Sequence, residues 1–309
     1  MRLAADPVAS RIFLRADGTP YKSGDRLVQT DLAATLALIA EQGVDAFYRG
    51  PIAASVARAA VAHGGLLTEQ DFADYTVTEA PPVTCPYRGY VVLSAPPPSA
   101  GGIILCEMLN VLSGWDLGAA GFASPRSLHL MAEAMRHAYV DRNTALGDRA
   151  FVADPRARLL SPGHAAAIRA AIDPEKATQS SALGPGTPPH EQAETTHYSV
   201  DDGEGNAVAV TYTLNGSFGA AAVATGTGFL LNNEMDDFTV KPGAPNLFGL
   251  VQGSANAIAP GKRPLSSMSP TIVEKDGRPV FVLGSPGGPR IITAVLEALT
   301  NIVDFGLAP

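Results

Sequence analysis

Between Asp173 and Glu194 the chain loses every apolar period while Pro, Gly, Ser and Thr crowd together, and the residues directly after it switch to a strand pattern. That break dictates the organisation. Thr196-His197-Tyr198-Ser199-Val200, a turn at Asp202-Gly203-Glu204-Gly205-Asn206 and Ala207 to Thr213 read as a β-hairpin that starts at the end of the linker. Upstream, residues 31 to 62 read as packing helices, with Leu32, Leu36, Ile39 and Ala40 and then Ile52, Val56, Ala59 and Ala60 as apolar positions separated by Gly43 and Gly50-Pro51. Thr68-Glu69-Gln70-Asp71 has the form of a capping box, and Arg88 to Leu93 reads as a strand. Ser127 to Asn143 reads as a long helix with Leu128, Met131, Met135 and Tyr139 on one face. Beyond the hairpin come a short strand at Gly228 to Leu231 and a second hairpin of Thr271-Ile272-Val273 with Val280 to Leu283 across Asp276-Gly277. A helix follows from Arg290. Helices before the linker and strands on both sides of it point to an α+β layered sandwich.

Composition narrows the function classes. The 309 residues are 46% hydrophobic and 17% charged, which excludes disorder throughout. The net charge of −8 opposes binding to phosphate backbones, so nucleic acid is not an expected partner. Apolar stretches such as Leu32 to Ala40 and Gly101 to Cys106 fall well short of the roughly 20 residues of a membrane span. Met1 to Pro7 lacks the apolar run of a secretory signal, and a signal preceding this start would leave the compartment open. Cys85, beside Pro86 in an expected turn, and Cys106, in an apolar run, read as two unpaired thiols rather than a disulfide or a metal site.

Thr195 stands where the linker meets the hairpin, so cutting the bond after Glu194 leaves a threonine at a rigidly held chain end. Its hydroxyl is a weak nucleophile, but a free α-amine on the same residue, with a reference pKa of about 7.7–8.0, can act as its base. An ordinary strand-initiating Thr-Thr pair is the plainer reading of these residues alone. Gly284-Ser285-Pro286-Gly287-Gly288 joins a strand to a helix, and its bare N–H groups fit either an oxyanion hole or a plain tight turn. It lacks the lysine of a phosphate-binding loop. Asn232 to Asp237 places carboxylates beside amides, suiting an ammonium group, a calcium loop or a solvated turn, though the spacing of an EF-hand is missing. Ser266 and Ser267 could hold a carboxylate. The six histidines, His197 among them, show no ligand spacing and read as surface or core residues.

Taken together, Thr195 to Val200, Asn232 to Phe238, Pro264 to Pro270 and Gly284 to Arg290 resemble, in order and interval, the small-subunit signatures of gamma-glutamyltranspeptidases, the glutathione hydrolases. The resemblance continues upstream through Tyr87-Arg88-Gly89-Tyr90, Pro96 to Gly102, Ala132-Glu133-Ala134 and Asp141-Arg142. It implies a four-layer αββα sandwich of the N-terminal-nucleophile hydrolase class, incomplete at both ends. Residues 1–194 would be the C-terminal part of a large-subunit region, and 195–309 a small-subunit region beginning at the nucleophile, the two interlocked in one domain. One precursor would yield both subunits by cutting itself before Thr195. The resemblance gives Thr195 the role of nucleophile and Thr213 that of orienting it, with the Gly287 and Gly288 amides forming the oxyanion hole. Asn215, Glu234 and Asp237 would hold the substrate α-amino group, and Ser266 and Ser267 its α-carboxylate. Phe248 stands in a lid-like stretch, Pro242 to Gly253, where bacterial members often carry tyrosine.

The implied activity is hydrolysis or transfer of gamma-glutamyl groups from glutathione and related compounds through a covalent gamma-glutamyl-threonine. Water, an amino acid or a dipeptide would be the acceptor, and no metal or organic cofactor is expected. A periplasmic or secreted location follows if a signal peptide precedes this start. Two rivals remain: a cephalosporin or glutaryl acylase of the same fold, and an inactive fragment acting only by association with another chain.

Overall fold

The computed structural model describes residues 2–179 and 195–308, so Glu194 and the expected linker from Ser180 onward lie outside the described residues. The chain divides into two compact units, Met1–Glu79 with Leu214–Asn233, and Ala80–Thr213 with Glu234–Pro309. The second unit therefore contains residues from both sides of the 194/195 junction.

The first unit is helical: α1 (Pro7–Phe13), α2 (Thr30–Gln42), α3 (Asp45–Tyr48), α4 (Pro51–Ala62) and α5 (Glu69–Ala73). Pro51 opens α4, where its missing N–H costs no helical bond, and Ile52, Ala53, Val56 and Ala57 form the buried face. Thr68 caps α5 as its sequence specifies, with Asp71 Oδ2 accepting from the Thr68 N–H at 2.7 Å. Two expectations fail in this unit. The buried residue of α2 is Thr35, whose hydroxyl donates to Thr227 O, whereas Leu36 is 57% exposed. Gly228 to Leu231 forms no strand, only an isolated bridge of Leu230 to Val223, because the segment turns at Gly226 and Gly228 with positive φ.

The second unit holds an antiparallel sheet of order β1-β2-β5-β6, formed by β1 (Val83–Tyr87), β2 (Tyr90–Ser94), β5 (Thr271–Lys275) and β6 (Arg278–Leu283). The remaining strands, β3 (Thr196–Asp201) and β4 (Ala207–Tyr212), pair as the expected hairpin, a second sheet that meets β5 and β6. The helices are α6 (Gly101–Leu112), the short α7 (Leu117–Ala120), α8 (Pro125–Ala145), α9 (Arg156–Leu159), α10 (Pro162–Ala171) and α11 (Ile291–Val303). Apolar all round, α6 is buried along its whole length apart from Asn110, and it packs with α8, α10, α11, Val92 and Val273 into one core. Its single charged side chain, Glu107, is buried with the rest. Along α8 the buried stripe runs through Leu130, Met131, Ala134, Ala138 and Arg142, and Leu128 is 55% exposed, so the inner face is rotated from the expected one.

The reading of the cysteines is overturned. Cys85 and Cys106 form a disulfide, with Cα atoms 5.8 Å apart, because β1 lies against α6 and brings two residues 21 positions apart into contact. The expected turn at Cys85-Pro86 is part of β1. That strand is the edge of its sheet, the one place in a ladder where a proline costs little.

Candidate active site

Pairing of Thr196 with Tyr212 closes the open end of the hairpin, so Thr195, just before β3, faces Thr213, just after β4. Their hydroxyl oxygens are 3.3 Å apart. The hairpin is in turn fixed to the glycine loop. His197 Nδ1 lies 2.8 Å from the Thr211 hydroxyl and its Nε2 3.1 Å from that of Ser199, which donates to Val282 O on β6. A Cβ on Gly284 would come within 2.0 Å of the His197 ring, so only glycine lets the loop begin flat against the imidazole. Burial lowers the His197 pKa and keeps the ring neutral at neutral pH.

Gly287 and Gly288 adopt φ of 135° and 53°, the left-handed region where a side chain is strained. The loop passes through a 3₁₀ turn at Gly288–Arg290 into α11, with Arg290 N–H donating to Gly287 O at 3.0 Å. Tyr139 on α8 donates its hydroxyl to Pro289 O in this turn. Burial pushes the Tyr139 phenol up to about 12, so it remains a donor.

Glu234 and Asp237 lie on one 3₁₀ turn, Glu234–Asp237. Burial, and then the neighbouring Glu234 charge, raises the Asp237 pKa, and burial raises that of Glu234. A second carboxyl beside Asp237 in a partly dry site makes its ionisation costlier. The charge of Arg142 on α8 acts against that rise at Asp237. Arg142 is buried and donates from Nη2 to the Ser267 hydroxyl at 2.6 Å and from Nη1 to Asn143 Oδ1 at 3.1 Å. The guanidinium is thus bonded to the serine segment and acts on the acidic turn through its charge.

Ser266 and Ser267 are held by the Pro-rich loop before α6. Ala100 N–H donates to Ser266 O, Ser266 N–H to Pro98 O, and the Ser99 hydroxyl to Met268 O at 2.6 Å. Gly101 makes this close approach possible, since a Cβ there would fall 2.5 Å from the Ser269 hydroxyl. The Ser266 Oγ accepts from Met268 N–H at 3.0 Å.

The other predicted residues are placed differently. Asn215 belongs to the first unit, where it is buried with φ of 74° and donates from Nδ2 to Asn233 O. Phe248 is buried in a loop pinned by Asn246, whose Oδ1 accepts from the Phe248 and Leu250 N–H groups. Sequence reasoning gave no role to Tyr139 or Arg142. Their signal was a phenol and a guanidinium three residues apart on the inner side of a long helix, where a polar group needs a partner.

The family model described as gamma-glutamyltranspeptidase matches residues 1–309. The glutathione hydrolase proenzyme of Pseudomonas sp. (strain A14) is 56% identical over 290 residues, covering 94% of this chain and 50% of that protein. Its counterpart in Escherichia coli (strain K12) is 52% identical over 299 residues, 96% of this chain and 52% of that protein. Among solved structures, cephalosporin acylase from Bacillus halodurans superposes with a TM-score of 0.83 at 29% identity, over 98% of this chain and 53% of the other. The chain spans about half the length of the curated relatives it matches. With a family model matched from end to end, the chain belongs to the gamma-glutamyltranspeptidase family.

Proposed function

We propose that the whole protein hydrolyses or transfers gamma-glutamyl groups, with Thr195 as nucleophile. Maturation begins when the Thr195 hydroxyl attacks the Glu194 carbonyl. The peptide nitrogen leaves as the α-amine of Thr195, and water opens the resulting ester to give the Glu194 carboxylate. The names of the two curated relatives, both proenzymes, support such a step. In turnover the α-amine takes the hydroxyl proton, Oγ attacks the substrate γ-carbonyl, and the amine leaving group departs with that proton. Water or an amino acid then releases the acyl group from Thr195. Thr213 orients the nucleophile across the hairpin, and the Gly287 and Gly288 N–H groups receive the oxyanion. This chemistry belongs on a four-layer αββα frame, of which the two sheets and the helices around α6 would be part.

The acidic turn carries the choice of substrate. A carboxyl pair of raised pKa on one turn, with Arg142 acting on Asp237 through its charge and bonded to Ser267, suits an ammonium and a carboxylate on one carbon, with Ser266 alongside the carboxylate. A γ-glutamyl group presents that zwitterion far from its scissile amide, so fixing both charges sets the carbonyl over the nucleophile. The likeness to cephalosporin acylase favours a second reading, a cephalosporin or glutaryl acylase of the same fold, and a glutaryl group, lacking the α-amine, would give the acid pair nothing to bind. Asp237→Asn separates the two. Its rate on γ-glutamyl-p-nitroanilide should fall about ten- to hundredfold further than on glutaryl-p-nitroanilide, which lacks the α-amine. Equal losses on the two substrates would sink the transpeptidase reading.

A further inference from the structure

A second cluster of ionisable groups lies at the edge of the core of the second unit, formed by the buried Glu107 of α6 and the partly buried Asp141 of α8 and His164 of α10. We propose that these side chains bind a divalent metal ion of the zinc class through Glu107 Oε1, Asp141 Oδ2 and His164 Nε2. His164 Nε2 lies 3.2 Å from the Glu107 oxygen and 3.1 Å from the Asp141 oxygen, and all three atoms fall within 4.8 Å of one another. Ligands at zinc bond lengths of about 2.0–2.2 Å stand roughly 3.0–3.5 Å apart, so a small inward adjustment seats the ion.

Burial argues for a cation rather than a solvated acidic patch. Glu107 is 0% exposed on an otherwise apolar helix, and its Oε2 is buried with no hydrogen-bond partner. A carboxylate so placed is stable only when protonated or matched by positive charge. The arginine of the cluster pairs with Asp141 rather than with Glu107. Arg158 of α9 donates to Asp141 Oδ1 at 3.2 Å, which turns Oδ2 toward His164. His137, one turn before Asp141 on α8, has a buried Nε2 that lacks a partner, and burial favours its neutral form. The imidazole ligand selects zinc-class ions over calcium or magnesium, which prefer oxygen. Such an ion would cross-tie three helices and fix the turn of α8 that carries Tyr139 and Arg142.

The test uses the purified protein, stripped with a chelator and titrated with zinc chloride, with calcium chloride in parallel. One zinc per chain is expected, with a rise in Tm that calcium does not give. His164→Gln should weaken zinc binding about 100-fold or more. Because a buried substitution can prevent folding, the wild-type protein gives an independent reading. The ¹⁵N resonances of one imidazole, that of His164, should shift on adding one equivalent of zinc, as ligation requires. No stoichiometric uptake, uptake as tight after His164→Gln, a preference for calcium, or unmoved imidazole resonances would each overturn the proposal.

Discussion

Asp237 couples recognition to pH. Its folded pKa is raised above the ordinary carboxylate value, so between the two values the folded chain holds a proton that the unfolded chain has lost. Stability therefore falls as pH rises through that window. Asp237→Asn has no proton to lose and should flatten the decline, read as Tm against pH from weakly acidic to alkaline buffer. A variant that tracks the parent at every pH would show that the site does not strain this carboxyl. Arg142 makes a different demand at the same scale. Its fork reaches Ser267 and Asn143 at once, which a lysine ammonium cannot do with the same geometry. Arg142→Lys should raise KM for γ-glutamyl substrates about tenfold or more, the worth of a charge-assisted bond, with the parent circular-dichroism spectrum kept. An unchanged KM would remove Arg142 from substrate positioning.

At the scale of elements, α8 organises the candidate site, since Tyr139 anchors the glycine loop and Arg142 anchors the serine segment. Tyr139→Phe releases Pro289 and lets the loop drift, so kcat should fall about tenfold while KM holds. A loss confined to KM would contradict that role. How much was legible in the sequence follows from how local each signal is. The 196–213 hairpin, the β5-β6 hairpin, the α5 cap and the buried start of α4 are fixed by neighbours within a few residues, and they formed as read. The strand β1 was missed because Pro86 argues against a strand until its place at the sheet edge is known. The exposed Leu36 and the rotated face of α8 reflect packing partners distant in sequence. The Glu107, Asp141 and His164 cluster comes from three separate helices, so no motif spacing announces it. The candidate site residues came from resemblance. Their arrangement needed the folded chain.

For the whole molecule, the expected maturation divides one polypeptide into two. In the full-length protein Thr195→Ala should remain a single chain, while the unsubstituted full-length protein should yield a smaller piece beginning Thr-Thr-His-Tyr, as intact mass and N-terminal sequencing would show. A Thr195→Ala protein split at the same bond would exclude Thr195 as the processing group. The Cys85–Cys106 disulfide closes a loop over a separation of 21 residues, a length for which chain entropy gives about 3 kcal/mol. Reducing agent, or replacement of both cysteines by alanine, should lower Tm accordingly, and an unaltered Tm would mean that the crosslink adds nothing. Both cysteines precede residue 194, so the crosslink staples the upstream piece to itself and spans no cut. This crosslink would then not tie the mature halves to each other, and unless a further crosslink joins them a denaturing gel run without reductant should already resolve two bands.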